Sequence, residues 1–119
     1  MIDHVTIRVQ DLQATRKFYT NALQPLGYSV LHGDDEFIGF GRDGKADTWF
    51  TLHKQRSGPV HVAWKAATKE EVDAFYKAAL TAGGKDNGAP GIRAEYHETY
   101  YGAYVLDPDG NNVEVVYGN

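Results

Sequence analysis

Cysteine is absent from these 119 residues, which excludes disulfides and thiol nucleophiles and leaves histidine and carboxylates to hold any metal. Basic residues (12 Lys and Arg) are outnumbered by acidic ones (16 Asp and Glu), and a net charge of −4 offers no footprint for nucleic acid or an anionic membrane. No apolar run approaches the roughly 20 residues that a bilayer-spanning helix needs. The first residues enter a strand pattern without the apolar core of a signal peptide, so a cytoplasmic location is the expectation. What is present is the composition of an ordinary globule, 42% hydrophobic and 24% charged, long enough to bury one core as a single domain. Eight tyrosines and two tryptophans are generous for this length, and some are candidates to line a pocket.

Periodicity divides the chain into two similar runs. Ile2–Val9 alternates as a strand, Asp11 caps a helix over about Leu12–Leu23, and three short strands follow near Tyr28–Leu31, Glu36–Phe40 and Thr48–His53. After a polar connector, Lys54–Pro59, the pattern restarts. Val60–Lys65 reads as a strand, and Thr68-Lys69-Glu70-Glu71 is a capping box opening a helix to about Leu80. The stretch Asp86–Glu95 reads as a loop with a short irregular strand, because Gly88, Pro90 and Gly91 discourage regular structure. Two strands, Tyr100–Leu106 and Asn112–Tyr117, flank the turn Asp107-Pro108-Asp109-Gly110. A shift of 57 positions lays His4-Val5 on His61-Val62, Phe18-Tyr19 on Phe75-Tyr76, Ala22-Leu23 on Ala79-Leu80 and Gly27 on Gly84. Matches at one offset, all at structural punctuation, indicate an internal repeat of strand–helix–strand–strand–strand. The two modules run over about 1–55 and 59–119, and pairing them would curve their sheets around a shared cavity.

Strand alternation assigns faces. With Val5, Ile7, Val9, Phe50, Leu52, Val62, Trp64, Val113 and Val115 given to the core, His4, His61 and Glu114 point to the cavity. Trp49, Thr51 and His53 join them as candidate substrate-binding residues. Taken singly, each ligand candidate has a plainer reading: a solvated outer face for Glu114, a hydrogen-bonded strand histidine for His4 or His61. Jointly, two histidines and a carboxylate form a 2-His-1-carboxylate set, in which imidazole donates neutral nitrogen and glutamate offsets the metal's charge. Tyr96, Tyr100, Tyr101 and Tyr104 cluster near the last hairpin, either as sheet packing or as pocket wall, with Tyr101 the candidate for substrate contact.

Three segments carry a family resemblance: DHVTIRVQDLQATRKFY at the start, HVAWKA opening the second half, and YVLDPDGNNVEVV near the end. The chain resembles the vicinal oxygen chelate superfamily, which includes glyoxalase I, bleomycin-resistance proteins, fosfomycin-resistance enzymes and extradiol dioxygenases. The resemblance implies an α+β fold of paired βαβββ modules forming a curved sheet around a cavity. It also implies metal ligands at His4, His61 and Glu114, and a homodimer. Where glyoxalase I carries a fourth ligand, usually Glu, this chain has Thr51, so the base of lactoylglutathione lyase chemistry is missing there. Three ligands suit the dioxygenase and fosfomycin-resistance branches better. The spacing of His97, Tyr104, Asp107-Pro108, Gly110 and Glu114 resembles the extradiol dioxygenase signature, from which Glu95 and Ala103 depart.

The expected function is therefore that of an enzyme using one divalent metal (Fe, Mn, Ni or Zn) on a small oxygen-rich or catechol-like substrate. Tyr104 and His97 are the candidate acid/base or hydrogen-bonding groups. Two alternatives stand beside it: a glyoxalase-like lyase or isomerase with another base such as His53, and a metal-free binding or resistance protein walled by Trp49 and the tyrosines.

Overall fold

The first helix starts where a side chain can satisfy its free amides. Asp11 accepts from the Ala14 N–H at 3.0 Å, and Thr68 does the same for Glu71 at 3.2 Å at the second helix. The computed structural model describes residues 1–119. Its first unit comprises β1 (Val5–Val9), α1 (Leu12–Ala22), β2 (Ser29–Gly33), β3 (Phe37–Arg42) and β4 (Lys45–Leu52). The second comprises β5 (His61–Lys65), α2 (Lys69–Thr81), β6 (Lys85–Ile92), β7 (Tyr101–Leu106) and β8 (Asn112–Tyr117). The sheets have equivalent strand orders, β1-β4-β3-β2 and β5-β8-β7-β6, each with one parallel pair and two antiparallel ones. This is the α+β architecture of paired βαβββ modules. Neither helix is long and apolar enough to cross a membrane.

Each helix lies on one face of its own sheet, and the buried residues of both units merge into one cluster of 20. Phe18, Tyr19, Ala22 and Leu23 of the first unit meet Trp64, Val72, Phe75 and Ala79 of the second within it. Burial of these side chains is the main driving force for joining the units, at about 1.5–3 kcal/mol for each large apolar one. Polar links lie across the same junction. Tyr19 donates to Asp107 at 2.5 Å, and Trp64 Nε1 donates to Thr48 Oγ1 at 3.3 Å.

Two of the differences from the sequence reading bear directly on the site. β1 begins at Val5, paired to Thr48, so Ile2–His4 lies outside the ladder. Strand alternation therefore does not set the direction of His4. The expected loop at Asp86–Glu95 is instead largely strand β6, paired to β7 through two register shifts. As an edge strand β6 tolerates Pro90, and its bulges accommodate Gly88 and Gly91.

Candidate functional site

Glu114 occupies the middle of the second sheet, opposite Ala63 of β5 on one side and Tyr104 of β7 on the other. It is only 2% exposed, although it points away from the valines that fill the core. A buried carboxylate costs several kcal/mol unless donors meet it. Here the donors are His61, whose Nε2 lies 2.7 Å from Oε1, and Tyr100, whose phenol donates to Oε2. His61 Nε2 and Glu114 Oε1 share one proton across this contact. The His61 side chain is about half exposed (54%), so the pair opens to solvent on the imidazole side.

Aromatic rings surround this cluster. Gly102 is backed by Glu114 and the Tyr100 ring, at 3.5 Å and 3.3 Å from the position of an added Cβ. That glycine lets Tyr100 fold back over the sheet. Tyr104 stands beside His61, ring centroids 6.2 Å apart. Burial, and then the hydrogen bond to Glu114, raise the Tyr100 phenol well above its usual range. Burial is also the largest cause of the upward shift at Tyr104, with Glu114 adding to it. Both phenols therefore stay protonated near neutrality and serve as donors. An open cavity of about 320 Å³ adjoins Tyr104, with Asn87, Gly88, Arg93, Glu95, Tyr96 and Asn112 as its other walls.

The other expected residues lie apart. His4 bonds through Nδ1 to Asp3 at 2.8 Å, and Asp3 also meets Lys45 at 2.9 Å. Lys45, then His4, hold the exposed Asp3 carboxyl below its usual range. His4 lines a different cleft, with Asp47, Ala63 and Lys65 among its walls. His53, beyond the end of β4, turns onto its own loop and contacts the Gln55 backbone at 3.0–3.1 Å. His97 accepts from the Thr99 amide at 3.2 Å in the loop before β7. Tyr101 faces α2 and donates to Asp73 at 2.6 Å, so it does not join the Glu114 face. Trp49 and Thr51 share the corresponding face of the first sheet, where Trp49 stacks on His32 at 5.5 Å and 11°. Arg93 and His32 belong to these surfaces and were not singled out from sequence, and Tyr100, named there within the tyrosine cluster, was not matched to Glu114. Gly39, opposite Trp49, and Gly102, two residues after Tyr100, are the signal that could have found two of these contacts.

The sequence model of the Glyoxalase/Bleomycin resistance protein/Dioxygenase superfamily matches residues 1–115. The chain belongs to this superfamily. A glyoxalase/bleomycin resistance protein from Albidiferax ferrireducens is 26% identical, with a TM-score of 0.86 over 98% of both chains. A glyoxalase/bleomycin resistance protein/dioxygenase family enzyme from Burkholderia phytofirmans is 25% identical, with a TM-score of 0.75 over 98% of this chain and 97% of that one. A lactoylglutathione lyase from Agrobacterium tumefaciens has the same fold at 20% identity, with a TM-score of 0.73 over 99% and 93%. No curated protein matches the chain.

The donors of this superfamily member can be compared with what a divalent ion requires. Two ligands each ~2.1 Å from one ion and at right angles stand about 3 Å apart. His61 Nε2 and Glu114 Oε1, at 2.7 Å, are close to that separation, and an ion would take the place of the proton between them. Within one chain the set stops there, because no three His, Asp or Glu side chains converge.

Proposed function

We propose that this superfamily member is a divalent-metal enzyme acting on a small oxygen-rich substrate. His61 and Glu114 supply two donors, and His4 from a second copy of the chain supplies the third. The carrying observation is the buried carboxylate whose two oxygens are held by His61 and Tyr100 on an otherwise open face. His4 points elsewhere in its own chain, which is why the proposal needs a homodimer. A divalent ion held there supplies Lewis acidity toward substrate oxygens, or redox chemistry if it is iron. Tyr100 keeps Glu114 oriented, and Tyr104 offers a proton to a substrate oxygen placed over the sheet. His97, on the loop before β7, is kept as a further acid/base candidate.

Metal content after anaerobic, chelator-free purification tests this reading. About one ion of Fe, Mn, Ni or Zn per chain is expected, with much weaker retention in Glu114→Gln. Chains carrying His4→Ala and Glu114→Gln, each deficient alone, should regain one metal site per mixed dimer. Absence of uptake by the wild type would sink the metal; absence of rescue on mixing would sink the shared site. A second reading, metal-free binding of aromatic molecules, draws on the Trp49–His32 stack with Phe37 beside it. Aromatic compounds that quench Trp49 without any catechol consuming oxygen would favour it.

A further inference from the structure

Arg93 is the one cation lining the cavity beside Tyr104. Its guanidinium donates to the carbonyls of Gly91 and Ala89 at 2.9 and 2.8 Å, and lies over the Tyr104 ring at 5.3 Å. Two glycines make room for it. A Cβ on Gly88 would stand 3.1 Å from Nη2, and one on Gly91 would stand 3.1 Å from Nη1. The bulges of β6 thus form a seat in which the side chain is fixed before any ligand arrives. No carboxylate completes it. The chain's ion pairs are His4–Asp3, Lys45–Asp3 and His61–Glu114, and Glu95, which lines the same cavity, is not paired with Arg93. Two of five N–H groups are spent on carbonyls, which leaves three donors of a positioned guanidinium for an acceptor.

We propose that Arg93 receives a carboxylate of the substrate. This rests on the reading of His61 and Glu114 as the reacting end, and narrows the substrate class to oxygen-rich molecules that also carry a carboxylate. Gly88 pairs with Tyr104, which pairs with Glu114, so the seat lies two strands from that carboxylate, on the order of 10 Å. With hydrogen-bond reach of ~3 Å at each end, a single ring or short chain bridges the gap. Arg is the fitting residue because its planar fork matches a carboxylate and its face rests on an aromatic ring.

The test is a titration of the full chain with benzoate and, separately, with the neutral benzamide, following the Arg93 Nε–H signal and the Gly88 and Gly91 amides by NMR. It is run on the protein as purified and again after treatment with chelator. Benzoate should bind at least ~10-fold more tightly than benzamide in both states, and the preference should vanish in Arg93→Gln. Arg93→Lys keeps the charge but loses the fork, and should retain only part of it; unchanged melting temperatures would exclude misfolding of either variant. Equal binding of the two probes, no saturable benzoate shift, or a preference that persists in Arg93→Gln would overturn the proposal. So would benzoate binding confined to the metal-loaded protein. A failed metal reading leaves the chelator-treated titration intact, so the two failures are distinguishable.

Discussion

Glu114 is held from two sides, by His61 of the neighbouring strand and by the phenol of Tyr100. Strand phase separates it from Val113 and Val115, which are fully buried in the core, and that inference rests only on alternation within β8. Tyr100 escapes the same logic because it precedes β7, where no ladder fixes its direction. On its way to the carboxylate it packs against Gly102, where a Cβ would stand 3.3 Å from its ring. His4 escapes that logic too, as a residue treated as strand that lies before the first ladder pair. Tyr100→Phe removes a donor from a buried carboxylate, which costs about 1.5–3 kcal/mol for a charged hydrogen bond. Urea unfolding should show that loss as a lower midpoint at unchanged slope. A change below ~0.5 kcal/mol, the level of an ordinary surface substitution, would mean that His61 alone secures Glu114.

Among the elements, β3 and β4 form the first unit's counterpart to the Glu114 face. Gly39 opposes Trp49 in the antiparallel ladder, and a Cβ there would stand 2.8 Å from the indole. The ring therefore lies across the glycine and is held between His32 and Phe37. Gly39→Ala should tilt the indole off its stack and cost about 1–3 kcal/mol, as overpacking does. Trp49 is half-buried whereas Trp64 is 6% exposed, so a change in the quenchable part of the tryptophan emission reports Trp49. Unaltered emission and quenching in Gly39→Ala would show that the glycine does not set the ring's position. β6 taught the opposite lesson. Its Gly and Pro content argued against a strand, yet an edge position and two bulges absorb all three residues. Propensity was outweighed by pairing with β7, which only the tertiary structure supplies.

At the scale of the molecule, the internal repeat was readable as an offset, but the asymmetry that joins its halves was not. Tyr19 and Tyr76 are repeat equivalents with different partners. Tyr19 is buried and crosses to Asp107 of the second unit, whereas Tyr76 bonds Asp86 within its own unit at 3.0 Å. Asp107 is itself fixed by the Asn111 amide groups at 2.8 and 2.9 Å, so the turn after β7 becomes the receptor for a phenol from α1. Burial first, and the facing Asp107 second, push the Tyr19 phenol well above its ordinary value. Burial also leads the upward shifts at Tyr28, which faces Asp47, and at Tyr100. In each case the folded state holds the proton more tightly than the unfolded chain, whose tyrosines titrate near pH ~10. Their contribution is therefore complete below pH ~10 and is lost as pH rises toward the folded values, with a limiting slope of about 1.4 kcal/mol per pH unit for a fully buried group such as Tyr19. Unfolding free energy should be flat with respect to these groups at neutrality and fall steeply in the alkaline range. Tyr19→Phe should lower stability at pH 7, where Asp107 loses a donor, and make the alkaline fall shallower by about one proton. Urea titrations of both proteins at pH 7 to 11 measure the two effects separately. Parallel alkaline slopes would show that Tyr19 does not carry the linkage between the units, whatever the cost of the substitution at neutral pH.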